Sequence, residues 1–135
     1  MKQALEAVAH IVKQHHSFVL TTHVNPDGDG LGSEIALAEW LAANGKQVHI
    51  LNHSATPDFY LWLDPHNRIK QFNASDHASL IQNAEVIVVM DTNHTDRLRS
   101  MEPHILAANA VKVCIDHHLD PQPFARHYII DDDAT

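Results

Sequence analysis

The chain is poor in cysteine: it has one, Cys114, so no internal disulfide can staple the fold. That cysteine sits in the apolar run "VKVCI", where a small buried core residue is expected and no thiol chemistry is assigned. No apolar stretch approaches the roughly 18 residues that a membrane-crossing helix requires. The opening "MKQALEAVAH" lacks the apolar core and small-residue cleavage site of a secretory signal, so a cytoplasmic protein without a membrane partner is expected. Positive charge is scarce too, with nine Lys and Arg against 17 Asp and Glu and a formal charge of −8. That balance argues against the broad cationic face that long duplex nucleic acid demands.

Histidine, in contrast, is abundant, with 13 in 135 residues. A hydrophobic content of 44% is ordinary for one domain that buries a core. Leu5, Val8, Ile11 and Val12 recur at helical spacing over residues 2–14 and predict one buried face. "FVLTT" (18–22) and "QVHIL" (47–51) read as strands. Between them Gly30 to Ala43 reads as a helix with Leu31, Ile35, Ala38, Leu41 and Ala42 on one side, stopped by Asn44-Gly45. A helical turn is expected from Pro57 to Leu63, then a looser stretch with a short helix near 76–83. "VIVVM" (86–90) and "VKVCI" (111–115) are continuous β-branched runs, typical of strands covered on both faces, with helical sequence around 95–108 between them and a last strand in "HYII" (127–130). The pattern predicts a single α/β domain, a mostly parallel sheet flanked by helices in three Rossmann-like layers.

In open parallel sheets ligands bind beyond the carboxyl ends of the strands, where loops and helix N-termini converge. After strand 18–22 come His23, Asp27 and Asp29; after 86–90 comes Asp91; after 111–115 comes Asp116-His117-His118. Each residue alone has an ordinary explanation as a cap or a hydrogen-bonded bystander. Together, so many carboxylates at one edge repel one another unless they are protonated or neutralised by cations. Imidazole mixed with carboxylate and without thiolate suits Mn²⁺, Fe²⁺ or Zn²⁺ better than Ca²⁺.

The stretch "HVNPDGDGLGS" imitates two other motifs. Read as a calcium loop from Asn25, it would place Ala36 where a bidentate Glu is required. Read as a dinucleotide turn, it brings its third glycine one residue early and sets two aspartates against the pyrophosphate. Pro26 instead fixes a bend, Gly28 and Gly30 permit unusual backbone angles around Asp29, and Asp27 and Asp29 can reach different ions. Gly32-Ser33 would then begin a helix whose free N–H groups meet a phosphate oxygen.

The chain resembles the DHH phosphoesterase superfamily, named for the triplet that stands here as Asp116-His117-His118. "HVNPDGDGLGS" looks like its first motif, "VVMDTN" with Asp91 like its second and "IDHH" like its third, in order over nearly the whole chain. The resemblance implies two divalent metal ions, most readily Mn²⁺. His23, Asp27 and Asp91 would bind one, Asp29, Asp91 and His117 would serve the second, and Asp91 would bridge. It further implies Asp116 orienting a ligand histidine, His118 at the substrate phosphate, and Ser33 and Arg97 as substrate contacts, although a simple salt bridge at Arg97 is an equal reading. Hydrolysis would then use a hydroxide bridging metals about 4 Å apart, with no protein nucleophile.

The first motif is most similar to the nano-RNase and phosphoadenosine-phosphate phosphatase branch, which implies short oligonucleotides or 3′-phosphonucleotides as substrates and leaves a homodimer open. Cyclic-dinucleotide phosphodiesterase, single-strand exonuclease, inorganic pyrophosphatase and a metal-binding module without turnover are the alternatives. Family members continue to a fourth-motif aspartate and a DHH-associated domain that the 135 residues do not include, so a C-terminally truncated DHH domain is expected.

Overall fold

The computed structural model describes residues 2–116, 124–125 and 127–130. Its strands are β1 (Ser17–Thr21), β2 (Gln47–Asn52), β3 (Ile69–Gln71), β4 (Val86–Met90), β5 (Val111–Asp116) and β6 (His127–Ile130). The helices are α1 (Lys2–Gln14), α2 (Gly28–Ala43), α3 (Ala74–Asn83) and α4 (Glu102–Ala107), with 3-10 turns at Asp58–Leu63 and Thr95–Met101. All strand pairs are parallel, in the order β3-β2-β1-β4-β5-β6. The chain builds outward from β1 to β3, then returns to β1's other edge with β4. The order therefore reverses between β1 and β4, and that seam is where an open parallel sheet receives its ligand.

Period-2 alternation divides the core. Phe18 and Leu20 of β1, with Val86, Val88 and Met90 of β4, pack against Ile11 of α1 and Leu31, Ala38 and Leu41 of α2. Val19, Ile87 and Val89 face the other way, onto Ile81 of α3 and Ile105 of α4. Every residue of β4 is buried, which is why "VIVVM" shows no polar alternation. Cys114 is fully buried, and burial pushes its thiol up to about 12, leaving it inert as expected.

The structure corrects several boundaries. α2 starts at Gly28, two residues before the predicted start, because Asp27 caps it. The segment 95–108 is a 3-10 turn followed by a short α-helix, with Arg99 in a left-handed conformation (φ 51°). β3 is an unpredicted strand of three residues at the sheet edge, with Lys70 and Gln71 exposed. On α1, Ile11 is buried while Leu5 is half exposed, so only the C-terminal half of the expected apolar face reaches the sheet.

Candidate metal centre

The centre forms where the chain leaves β1 and β4. Beyond Thr21, Thr22 is held twice: its N–H donates to Asn52 Oδ1 at 3.2 Å and its Oγ1 donates to the Met90 carbonyl at 2.8 Å. The second bond clamps the ends of β1 and β4 together directly below the two residues that matter, His23 and Asp91. Further on, Val24 N–H donates to the Arg97 carbonyl at 2.8 Å, and Asn25, left-handed at φ 53°, donates its N–H to Ser54 Oγ at 3.0 Å. Asparagine tolerates that conformation better than most residues. Pro26 is buried and Asp27 then caps α2, one carboxylate oxygen accepting from Gly30 N–H at 3.0 Å.

Asp91 follows β4 in a left-handed conformation, φ 63°, while its N–H still donates to the Ile115 carbonyl of β5 at 2.9 Å. A non-glycine residue held there stores strain of about 1–3 kcal/mol, which the surrounding ladder must enforce. The bend lays its carboxylate under α2. A Cβ on Gly30 would lie 3.3 Å from Asp91 Oδ2 and 2.8 Å from Thr22 Oγ1. Gly30 therefore serves close approach: neither it nor Gly28 has a positive φ, which corrects the expectation of unusual glycine angles. A Cβ on Gly28 would meet the Tyr60 ring at 3.1 Å.

One ligand atom each from His23, Asp27 and Asp91 lies within 4.8 Å of the others, with His23 and Asp91 buried and Asp27 exposed. Nδ1 of His23 is 2.7 Å from the Val24 carbonyl, to which it donates, so Nε2 is the nitrogen turned to Asp91 Oδ2, at 3.2 Å. The hydrogen bond to Asp91 is the main cause that raises the His23 pKa above its ordinary value, against the lowering effect of burial. A histidine raised by a buried carboxylate is a place where a bound cation could take over the role of the proton. The donor set of one imidazole and two carboxylates fits a first-row divalent metal.

Other predicted residues fall around this cluster. Asp29 is exposed in the first turn of α2 and is not part of the three-residue group. Ser33, half-buried, and Gly32 lie inside α2, so the helix start expected at Gly32-Ser33 falls instead at Gly28, where Gly30 N–H donates to Asp27 Oδ1 and Leu31 N–H to the Asp27 carbonyl, both at 3.0 Å. Arg97 is exposed, with Nη2 3.4 Å from His23 Nδ1, and makes no ion pair among the described residues. Asp116 is buried at the end of β5, the next strand along from Asp91. His117 and His118 lie outside the described residues. A cavity of about 500 Å³ lined by Val48, His49 and Lys70 touches none of these residues, and Arg68 in its wall is paired with Glu39 at 2.9 Å.

Sequence reasoning missed Thr22, Asn52 and Glu34. A signal existed for Glu34: it falls between Leu31 and Ala38 on the apolar stripe of α2, where a carboxyl has no business unless it serves something.

An imidazole and two carboxylates gathered at the reversal point of a parallel sheet make this chain an α/β domain with a candidate metal site. Residues 17–134 match the family described as the DHH family, N-terminal domain, and the chain belongs to that family. It is 26% identical over 130 residues to the bifunctional oligoribonuclease and PAP phosphatase NrnA of Thermus thermophilus, covering 96% of this chain and 36% of that protein. A crystal structure of an exopolyphosphatase-related protein from Bacteroides fragilis has a TM-score of 0.95 and 29% identity, covering 99% of this chain and 40% of that one. The chain thus spans well under half the length of either relative.

Proposed function

We propose that this domain is the metal-binding half of a phosphoesterase that hydrolyses short oligonucleotides or 3′-phosphoadenosine 5′-phosphate with two divalent ions, most readily Mn²⁺. The observation that carries the reading is the His23, Asp27 and Asp91 cluster at the seam between β1 and β4. NrnA of Thermus thermophilus, named for both activities, supports the substrate class. His23, Asp27 and Asp91 would hold the first ion; Asp29, Asp91 and His117 the second. When bound, the ions supply Lewis acidity and an activated water.

The chain's own groups would do the remainder. The positive end of the α2 dipole would face the anionic substrate. Arg97 and the Ser33 hydroxyl would contact that substrate, Asp116 would orient a ligand histidine, and His118 would donate to the phosphate or the leaving group. A cytoplasmic location and a homodimer accord with this reading, and among the described residues no helix is long and apolar enough to cross a membrane.

The test is release of nucleotide from dinucleotides and from 3′-phosphoadenosine 5′-phosphate by the protein with Mn²⁺, alongside cyclic dinucleotides and pyrophosphate. His118→Ala should keep metal and lose rate. Absence of any metal-dependent phosphate-ester cleavage by the whole protein that carries this domain would sink the enzyme reading.

A further inference from the structure

Behind the metal centre runs a buried polar relay that the proposed chemistry does not use. Glu34, on α2, is 0% exposed; its Oε1 accepts from Asn52 Nδ2 at 2.9 Å, while Oε2 is buried with no hydrogen-bond partner among the described residues. Asn52, also fully buried, ends β2 and accepts with Oδ1 from Thr22 N–H at 3.2 Å. Thr22 immediately precedes His23, and its hydroxyl donates to the carbonyl of Met90, which immediately precedes Asp91. The relay therefore reaches the backbone beside both buried ligands.

The orientation of the Asn52 amide is the crux. Its oxygen must face Thr22 N–H, because the reversed amide would set a donor against a donor. Its NH₂ then points to the α2 side, where its one acceptor among the described residues is Oε1 of residue 34. Glu34 supplies it. Packing alone does not explain a carboxyl here, since an apolar side chain of similar size would bury itself without cost. No Lys, Arg or His pairs with Glu34 among the described residues. Burial, reinforced by the negative charge of Asp64 and opposed by the Asn52 hydrogen bond, pushes its carboxyl up to about 8, so it is mostly the neutral acid at pH 7.

We propose that Glu34 and Asn52 are positioning residues of the metal centre, fixing the Thr22–His23 backbone against β2 and thereby the place of the His23 imidazole relative to Asp91. The inference rests on the metal-centre reading above and concerns only residues behind it.

The experiment is Mn²⁺ affinity at pH 7, read from the electron paramagnetic resonance of free Mn²⁺, for the chain and its Glu34→Gln, Glu34→Met and Asn52→Ala variants, with circular dichroism to confirm folding. Gln keeps the accepting Oε1 and mimics the neutral acid, so Glu34→Gln should bind within about twofold of the parent. Glu34→Met fills the same space without an acceptor and should weaken binding about tenfold or more, as loss of groups that orient metal ligands does. Asn52→Ala cuts the relay from its other end, should show the same loss, and decides the matter where Glu34→Met does not fold. Wild-type affinity in the folded Met or Ala variant overturns the proposal, as does a Gln variant as weak as Met. If the parent chain itself takes up no Mn²⁺, the metal-centre reading falls and this inference with it.

Discussion

Nε2 of His23 and Oδ2 of Asp91 lie 3.2 Å apart, joining the residues that follow β1 and β4 across the point where strand order reverses. Because Nδ1 already donates to the Val24 carbonyl, this contact needs either a second proton on the ring or a cation in its place. The raised pKa of His23 says the proton is held more firmly than at the ordinary 6.5. That stabilisation is complete below the unfolded value and is lost as pH rises through the folded one. Metal and proton must therefore compete. Mn²⁺ affinity should fall about tenfold per pH unit below the His23 pKa and level off above it, with about one proton released from His23 per ion bound in the acid range. Calorimetry in buffers of different ionisation enthalpy counts that proton; none released in the acid range would remove His23 from the ligand set.

Asp91→Asn isolates charge from shape. Asparagine tolerates φ near 63° as aspartate does, so the bend after β4 should survive. The variant should melt within a few degrees of the parent, yet retain little Mn²⁺ after dialysis at concentrations that load the parent. If Asp91 bridges, both ions should go together; full metal occupancy in the variant would contradict any ligand role.

Two glycines of one helix should respond to alanine with opposite signs. At Gly32 a Cβ meets nothing within 4 Å, so Gly32→Ala should stabilise by roughly 0.5–1 kcal/mol through helix propensity. At Gly30 the same methyl would press on Thr22 Oγ1, which cannot retreat without breaking the clamp beneath the centre, and on Asp91 Oδ2, which cannot retreat without loosening its contact with His23 Nε2. Gly30→Ala should cost about 1–3 kcal/mol and weaken metal binding. Urea denaturation of the pair settles it, and a stabilised Gly30→Ala would mean the approach of α2 to Asp91 is looser than described.

The strands were legible because β4 is buried throughout and β1 and β5 bury residues on both faces, so that they carry runs of apolar, β-branched residues with Asp or His at or just beyond their carboxyl ends. Parallel topology and the site's edge followed from that pattern. β3 was not legible because three edge residues, two of them exposed and polar, bear no periodicity. The start of α2 is hard to see in the sequence because Asp27, a candidate ligand, also caps the helix before its apolar pattern begins. A sequence shows that a glycine stands at position 30, but only the approach of Thr22 and Asp91 shows that space, not an unusual backbone angle, is needed there. Asn52 and Glu34 meet across 18 positions of sequence, a contact no local pattern announces.

Glu34 also predicts how stability depends on pH. Its carboxyl is raised to about 8 in the fold from an ordinary 4.5, so between those values the folded chain keeps a proton that the unfolded chain has lost. Stability contributed by that proton is fully present below about pH 4.5, declines toward pH 8 and is constant above. Glu34→Gln removes this slope while preserving the bond to Asn52, so parent and variant should diverge in the variant's favour from pH 5 to pH 8 and run parallel beyond, by an amount on the order of a few kcal/mol. The His23–Asp91 pair loses stability over part of the same range, but it is common to both chains and cancels in the difference. Thermal melts of the two proteins across that range measure the difference directly. A constant gap from pH 5 to pH 8 would mean that Glu34 is ionised in the fold and that a cation, absent from the described side chains around it, balances its charge.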